Sequence, residues 1–143
     1  MAGYLSKNDR FPFEMKKISY LLILLLFTGS GLQALDVYEE IANSIRSGDA
    51  RQVATFFGNT IDLTLSDKEN AYSKAQAELV LKDFFGKNPP KSFTIIHKGS
   101  SPEGTQYAIG KLVTSNGKSF RVSFYVKGSN GKSVLQELRI ESE

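Results

Sequence analysis

The sequence predicts an α+β domain in which helices pack on one face of an antiparallel sheet. Apolar residues recur at helical spacing up to residue 85, and after Pro90 they alternate with polar residues at the period of a strand. Pairs of Asn and Gly separate the later strands. The predicted order is helix, helix, short strand, long helix and four strands in a meander. A sheet with one polar and one apolar face needs helices on the apolar face.

Two short helices are predicted to open the domain, and each begins with a capping-box pattern. The first starts at Asp36 and ends at Gly48, a residue that suits the left-handed position after a helix. The second starts at Asp49 and ends before Gly58. Residues 61–65 then alternate between apolar and polar and predict a short strand.

The long helix has the clearest signals in the chain. Ser73 and Gln76 form a capping box at its start. One apolar stripe follows, made of Ala77, Val80, Leu81, Phe84 and Phe85. Gly86 is predicted to end the helix in the left-handed conformation, and Pro89-Pro90 prevents its continuation.

The strands after Pro90 define two faces. Regular alternation along residues 93–97 places Phe93, Ile95 and His97 on one face. Asn116-Gly117 predicts a two-residue type I′ hairpin, because both central residues of that turn need a positive φ. A polar turn is predicted at residues 66–70, before the long helix.

Residues 15–34 have the composition of a secretory signal peptide. A basic start at Met15 is followed by the apolar run 18–27 and by small residues before a predicted cut after Ala34. The run is too short for a stable membrane anchor. Residues 1–14 are predicted to be an extension, from a mis-assigned start codon or from cloning. If Met1 is the genuine start, the apolar run is internal and could stay as an uncleaved anchor.

The predicted mature chain is the single domain 35–143, in the periplasm or outside the cell. Removing the first 34 residues lowers the net charge from +3 to +1, so the chain carries no nucleic-acid signal. There is no cysteine, which excludes disulfides, thiol catalysis and a lipoprotein anchor. With one histidine, no metal site and no cofactor are expected. We expect no membrane contact after signal cleavage.

Several short motifs of the predicted domain match one protein family. They are Ile45-Arg46-Ser47-Gly48-Asp49-Ala50, Tyr72-Ser73-Lys74-Ala75-Gln76-Ala77 with Phe84-Phe85, His97-Lys98-Gly99, Tyr107-Ala108-Ile109-Gly110 and Leu138-Arg139-Ile140-Glu141. In these motifs and in element order the chain resembles a family of short exported bacterial proteins of unknown function with a nuclear transport factor 2-like, cystatin-like fold. The resemblance covers residues 35–143 and implies a cone-shaped, strongly curved sheet on the long helix. No motif is a chemical signature, so function stays open.

Enzymes of this superfamily place an acid or a histidine inside the cone, which makes His97 the one catalytic candidate, as a general base. The alternative is a hydrogen-bonded, partly exposed residue at a strand end. A pocket for a small apolar ligand could be lined by Tyr72, Phe85, Phe93, His97 and Tyr107. The alternative is that these aromatic residues fill the core.

The outward face of the last strands is the candidate partner surface. Alternation assigns to it Arg121, Tyr125, Leu135 and Arg139. Many relatives of the fold dimerise through this face, so a homodimer is one expected partner; the alternative is an ordinary solvated face. The favoured hypothesis is a non-enzymatic exported domain that binds a small apolar ligand or a protein partner through the cone or the sheet. The others are a small cavity enzyme using His97 and a structural role in the envelope.

Overall fold

The structure, a computed structural model, describes Gly3 and residues 36–143. The predicted signal peptide, and the predicted extension apart from Gly3, lie outside the described residues. Residues 36–143 belong to one compact unit, Leu35–Glu143. None of the described helices is both long enough and apolar enough to cross a bilayer.

The described residues form three helices and six strands. The helices are α1 (Val37–Ser47), α2 (Ala50–Ala54) and α3 (Lys74–Lys87). The strands are β1 (Phe57–Leu65), β2 (Lys68–Ser73), β3 (Pro90–Ser100), β4 (Gln106–Thr114), β5 (Ser119–Ser129) and β6 (Lys132–Ser142). In the sheet the strands lie in the order β2-β1-β6-β5-β4-β3. Only β1 and β6 are parallel among the described neighbours.

The predicted α+β class is confirmed, and β3 to β6 form the predicted meander. Several boundaries differ from prediction. The predicted polar turn 66–70 is largely strand β2, which pairs with β1 at the edge of the sheet. Because nearly all side chains of β2 are exposed, its sequence shows no alternation of apolar and polar residues. Helix α2 is only five residues long, because the Phe56 carbonyl accepts a hydrogen bond from Leu135 N (2.7 Å) and the chain enters the sheet at Phe57.

The helix starts follow the capping signals. The side chain of Asp36 accepts a hydrogen bond from Tyr38 N at 3.3 Å, and Asp49 caps α2 in the same way. Ser73 and Gln76 form the complete capping box predicted for α3, with Ser73 Oγ accepting from Gln76 N at 3.3 Å. Each short helix thus gains hydrogen bonds for amide groups that have no intrahelical partner.

Helix α3 does not end at Gly86 as predicted. It continues to Lys87, and Gly86 has no positive φ. Asn88 is the last capping residue instead: its φ of −131° and ψ of 71° lie outside the helical region. Its backbone N (2.8 Å) and its side-chain Nδ2 (3.2 Å) both donate to the Phe84 carbonyl. At α1 the left-handed ending is confirmed, with Gly48 at φ 68°.

The core fills the space between the helices and one face of the sheet, which we call the inner face. Helix α3 contributes Ala77, Leu81, Phe84 and Phe85, and all four are buried. The largest fully buried side chains include Phe93, Phe124, Ile41, Ile45, Ile61, Leu63, Leu112, Leu135, Leu138 and Ile140. Because these side chains come from both helices and sheet, the interior is a packed core.

Several register shifts curve the sheet, and two of them are β-bulges that change the faces of predicted site residues. In β3, Ile95 lies opposite Gly110 while His97 lies opposite Ile109, so one extra residue is inserted. In β6, Leu135 lies opposite Val126 while Glu137 lies opposite Tyr125. A bulge bends its strand and increases the local twist.

Each bulge also shifts the alternation by one residue. The prediction that His97 shares a face with Phe93 is therefore wrong, and so is the prediction that Leu135 points outward. His97 lies on the outer face of the sheet, and Leu135 is fully buried on the inner face. Regular alternation predicts a face only where no bulge intervenes.

The hairpin between β4 and β5 differs from the predicted type I′ turn. Thr114 N donates to Lys118 O at 2.9 Å, so the loop contains three residues, and of Asn116 and Gly117 only Gly117 has a positive φ (82°). This loop length places Tyr107 opposite Tyr125. The two-residue turn with positive φ at both positions lies instead at Asn130-Gly131.

Helix α1 shields the outer edge of β3. The Tyr38 hydroxyl donates to Gly99 O at 2.9 Å, and the Arg46 guanidinium donates to Phe93 O at 3.1 Å and 2.8 Å. An edge strand with free backbone groups can pair with another chain. These two side chains occupy carbonyls that such pairing would need.

We expect Gly110→Ala to destabilise the fold by about 1–3 kcal/mol, because a Cβ there would lie 2.6 Å from Phe93 Cζ and 2.7 Å from Thr94 O. Gly86→Ala is the matched control. No atom lies within 4 Å of its Cβ position, and replacing a helical glycine with alanine gains roughly 1 kcal/mol. Urea unfolding measures both. Equal stability of Gly110→Ala and the wild type would contradict the close packing of Phe93 on β4.

Tyr38→Phe is expected to cost about 1 kcal/mol at neutral pH, because the hydrogen bond to Gly99 is lost. Burial, and secondly the charge of Asp36, raise the pKa of Tyr38 above its ordinary value of 10.0. The neutral phenol is thus favoured in the folded state. The contribution of the neutral Tyr38 phenol to the free energy of unfolding is complete below pH 10. It is lost as the pH rises through the higher pKa that this group has in the folded state. The stability difference between wild type and variant should narrow above pH 10. Urea unfolding at pH 7 and pH 10.5 tests this, and a constant difference would refute it.

Candidate functional site

The outer face of β3 to β6 is the candidate site, and the strand register determines its composition. Ile109 on β4 lies between His97 on β3 and Ser123 on β5, and Ser123 lies opposite Arg139 on β6. The outer face includes His97, Tyr107, Ile109, Lys111, Val113, Arg121, Ser123, Tyr125, Lys127, Val134, Glu137, Arg139 and Glu141. On β4 and β5 the neighbours of these residues, among them Ala108, Val122 and Phe124, are buried in the core, so the middle of this face is backed by packed side chains.

Three rings form a row across the outer face. The ring centres of His97 and Tyr107 are 5.8 Å apart, and those of Tyr107 and Tyr125 are 6.2 Å apart. His97 Nε2 lies 3.3 Å from the Tyr107 hydroxyl. Gly99 makes room for this row, because a Cβ there would lie 2.7 Å from the same hydroxyl. His97 is exposed and both tyrosines are half-buried, so all three rings offer surface to a partner.

Charged groups of both signs surround this row. Arg139 contacts Glu137 and Glu69, each at 3.2 Å, and Lys111 contacts Glu143 at 2.9 Å. Arg139 Nε is buried and, among the described residues, has no hydrogen-bond partner. The centre of the outer face, by contrast, consists of the uncharged side chains of Tyr107, Ile109, Ser123 and Tyr125.

The five residues predicted to line a ligand pocket do not come together. Phe85 and Phe93 lie in the core, 5% and 2% exposed. Tyr72 is half-buried on β2, at the opposite edge of the sheet from β3. His97 and Tyr107 lie together on the outer face.

Of the four residues predicted for a partner surface, Arg121, Tyr125 and Arg139 lie on the outer face. Leu135 does not, because the bulge in β6 turns it inward. Sequence reasoning missed that Tyr107 and Ile109 belong to this surface. Alternation along β4 indicates that Tyr107 and Ile109 share one face of the sheet. Whether Tyr107 lies opposite Tyr125 depends on the length of the β4–β5 loop.

The chemistry available to His97 follows from its contacts. Within residues 36–143, the only side chain within hydrogen-bonding distance of its imidazole is the Tyr107 hydroxyl. No group of three His, Asp or Glu side chains that could hold a metal ion occurs in the described part of the chain.

Comparison with solved structures gives the same fold at low sequence identity. A protein from Bacteroides uniformis of the family DUF4783 is 25% identical, with a TM-score of 0.70 over 76% of this chain and 98% of that chain. A protein from Bacteroides ovatus in the same family is 23% identical, with a TM-score of 0.68 over 73% of this chain and 93% of that chain. A Nostoc punctiforme domain of unknown function with a cystatin-like fold is 8% identical, with a TM-score of 0.59 over 74% of this chain and 72% of that chain.

The six-stranded curved sheet with its helices is thus a nuclear transport factor 2-like, cystatin-like fold. No curated protein matches the chain. The model of the family described as "Domain of unknown function (DUF4783)" matches residues 38–141, which is nearly the whole described domain. The chain belongs to the DUF4783 family of proteins of unknown function.

Proposed function

We propose that this domain binds a protein partner through its outer sheet face and that the partner is a second copy of the chain. The observation that carries the proposal is the row of His97, Tyr107 and Tyr125, which the helices leave uncovered. Tyrosine is enriched at the centres of protein interfaces, where charged residues are depleted, and the rims are polar. The outer face has this arrangement.

The charges support a second copy as the occupant. In a two-fold symmetric dimer the same patch meets itself, so it must be complementary to itself. Around the uncharged centre stand the basic residues Lys111, Arg121, Lys127 and Arg139 and the acidic residues Glu137 and Glu141, and Glu143 pairs with Lys111. A face that carries both signs offers groups of opposite charge to its own copy.

The contacts of His97 support a role in this interface over the alternative of a small cavity enzyme. A general base for a buried substrate would need a site shielded from water, whereas His97 is exposed beside a hydroxyl. The burial of Phe85 and Phe93 likewise supports partner binding over an apolar ligand inside the cone.

We expect the purified protein to dimerise and Tyr125→Lys to raise the dimer dissociation constant at least about tenfold, because a charge would enter the apolar centre of the interface. The fold should tolerate the change, since Glu137 lies directly opposite. Leu79→Lys is the control: Leu79 is an exposed apolar residue on α3, 67% exposed, and it lies outside the outer face. Sedimentation equilibrium measures both variants. A monomeric wild type, or equal weakening by both substitutions, would overturn the proposal.

We propose in addition that the domain works after export, because residues 15–34 have the composition of a cleavable signal. The expected mature protein begins at Leu35. Intact mass measurement of the protein recovered from the periplasm or the medium of an expressing bacterium tests this. A product that retains the apolar run 18–27 would contradict cleavage, and a product confined to the cytoplasm would contradict export.

A further inference from the structure

A cleft distinct from the outer face opens at one end of the inner face. Its volume is about 640 Å³, and it lies between the second half of α3, the β1–β2 turn, the start of β5 and the end of β6. Because its walls come from four separate parts of the chain, the cleft exists only in the folded domain.

The floor of the cleft is apolar. It is formed by Leu65, Val80, Phe84 and Phe120. The rings of Phe84 and Phe120 meet edge to face at 5.3 Å and belong to the core, whereas Leu65 and Val80 are only half-buried. Apolar surface is therefore left facing the cleft, where a hydrocarbon chain would remove it from water.

The rim of the cleft carries an excess of positive charge. Three lysines line it, together with Asp67 and Asp83. Lys87 is paired with Asp83 at 2.9 Å. Lys68 and Lys118 form no salt bridge within the described residues and stand on different walls, one on β2 and the other at the β4–β5 hairpin. Two ammonium groups without a salt-bridge partner among the described residues thus line the cleft.

The carboxyl end of α3 also faces the cleft, and its partial negative charge opposes an anion. Hydrogen bonds reduce this opposition. The Phe84 carbonyl accepts from Asn88, and the Lys87 carbonyl accepts from Asn116 Nδ2 at 3.2 Å. These carbonyls already have donors, and the rim with three lysines against Asp67 and Asp83 keeps a net charge of +1.

The walls are held in place before any ligand arrives. Ser66, at the tip of the β1–β2 turn, has φ 57°, an uncommon value for a residue other than glycine, and its N–H donates to Ile140 O at 2.8 Å. Asn116 ties the hairpin to the end of α3. A preformed site binds with a smaller loss of conformational entropy.

We infer that this cleft binds an anionic amphiphile, with the hydrocarbon chain on the Leu65–Val80–Phe84–Phe120 floor and the anionic head between Lys68 and Lys118. A free fatty acid and an anionic lipid headgroup share this chemistry. The inference does not depend on dimerisation, because the cleft and the outer face share no residue.

The test is calorimetric titration of the purified full chain with dodecanoate, beside co-sedimentation with phosphatidylglycerol vesicles. The double variant Lys68→Glu/Lys118→Glu should weaken binding at least about tenfold, and added salt should weaken wild-type binding. Val80→Trp, which fills the cleft without changing charge, should abolish it. The matched control is Lys127→Glu/Lys132→Glu, two exposed lysines outside the cleft with the same change in net charge.

Binding of dodecanoate that is lost in both cleft variants supports a free fatty acid as the ligand. Binding to vesicles alone, with the same sensitivity to the variants, supports a membrane lipid. Failure of the wild type to bind either probe overturns the inference, and so does equal binding by the cleft and control variants. Circular dichroism shows whether each variant is folded. The oligomeric state measured for Tyr125→Lys is a separate result and leaves this test unchanged.

Discussion

The packing of one curved sheet against the apolar stripe of one helix is the interaction on which the other features of this structure depend. Helix α3 has 14 residues and buries Ala77, Leu81, Phe84 and Phe85, so the sheet must curve to cover them. The curvature is introduced where the β3 and β6 registers shift. In β3 the bulge follows the point where Phe93 packs on Gly110, a position with no room for a Cβ. Core packing and sheet curvature are therefore coupled at this place.

The polar contacts of the described domain concentrate where its elements end. Asn88 and Asn116 join the end of α3 to the β4–β5 hairpin, and Tyr38 and Arg46 attach α1 to the edge of β3. These side chains satisfy backbone groups that the curved sheet and the helix ends leave without partners. The same bonds give the domain its preformed surfaces, because one set holds a wall of the lysine-rimmed cleft and the other protects the sheet edge.

The fold separates two kinds of surface. Helices cover the inner face of the sheet, so the aromatic row of the outer face remains available for a second copy of the chain. The cleft lies at the end of the inner face and is lined by different residues. Both proposals can therefore hold together, and a dimer formed through the outer face leaves the cleft residues outside the interface.

Local signals in the sequence determined the helix starts and the core stripe of α3, because Ser73, Gln76 and the buried residues that follow are only a few positions apart along one helix. The α+β class and the β3–β6 meander also followed from local periodicity. The tertiary structure decided the faces of His97 and Leu135, because a bulge depends on how the partner strand is aligned. It also decided that Tyr107 meets Tyr125, which rests on one residue of loop length. Strand β2 is the local hairpin partner of β1, but its exposed polar residues show no apolar alternation that would reveal a strand. The cleft arises from contacts between segments distant in the chain, and no short stretch of sequence encodes such contacts.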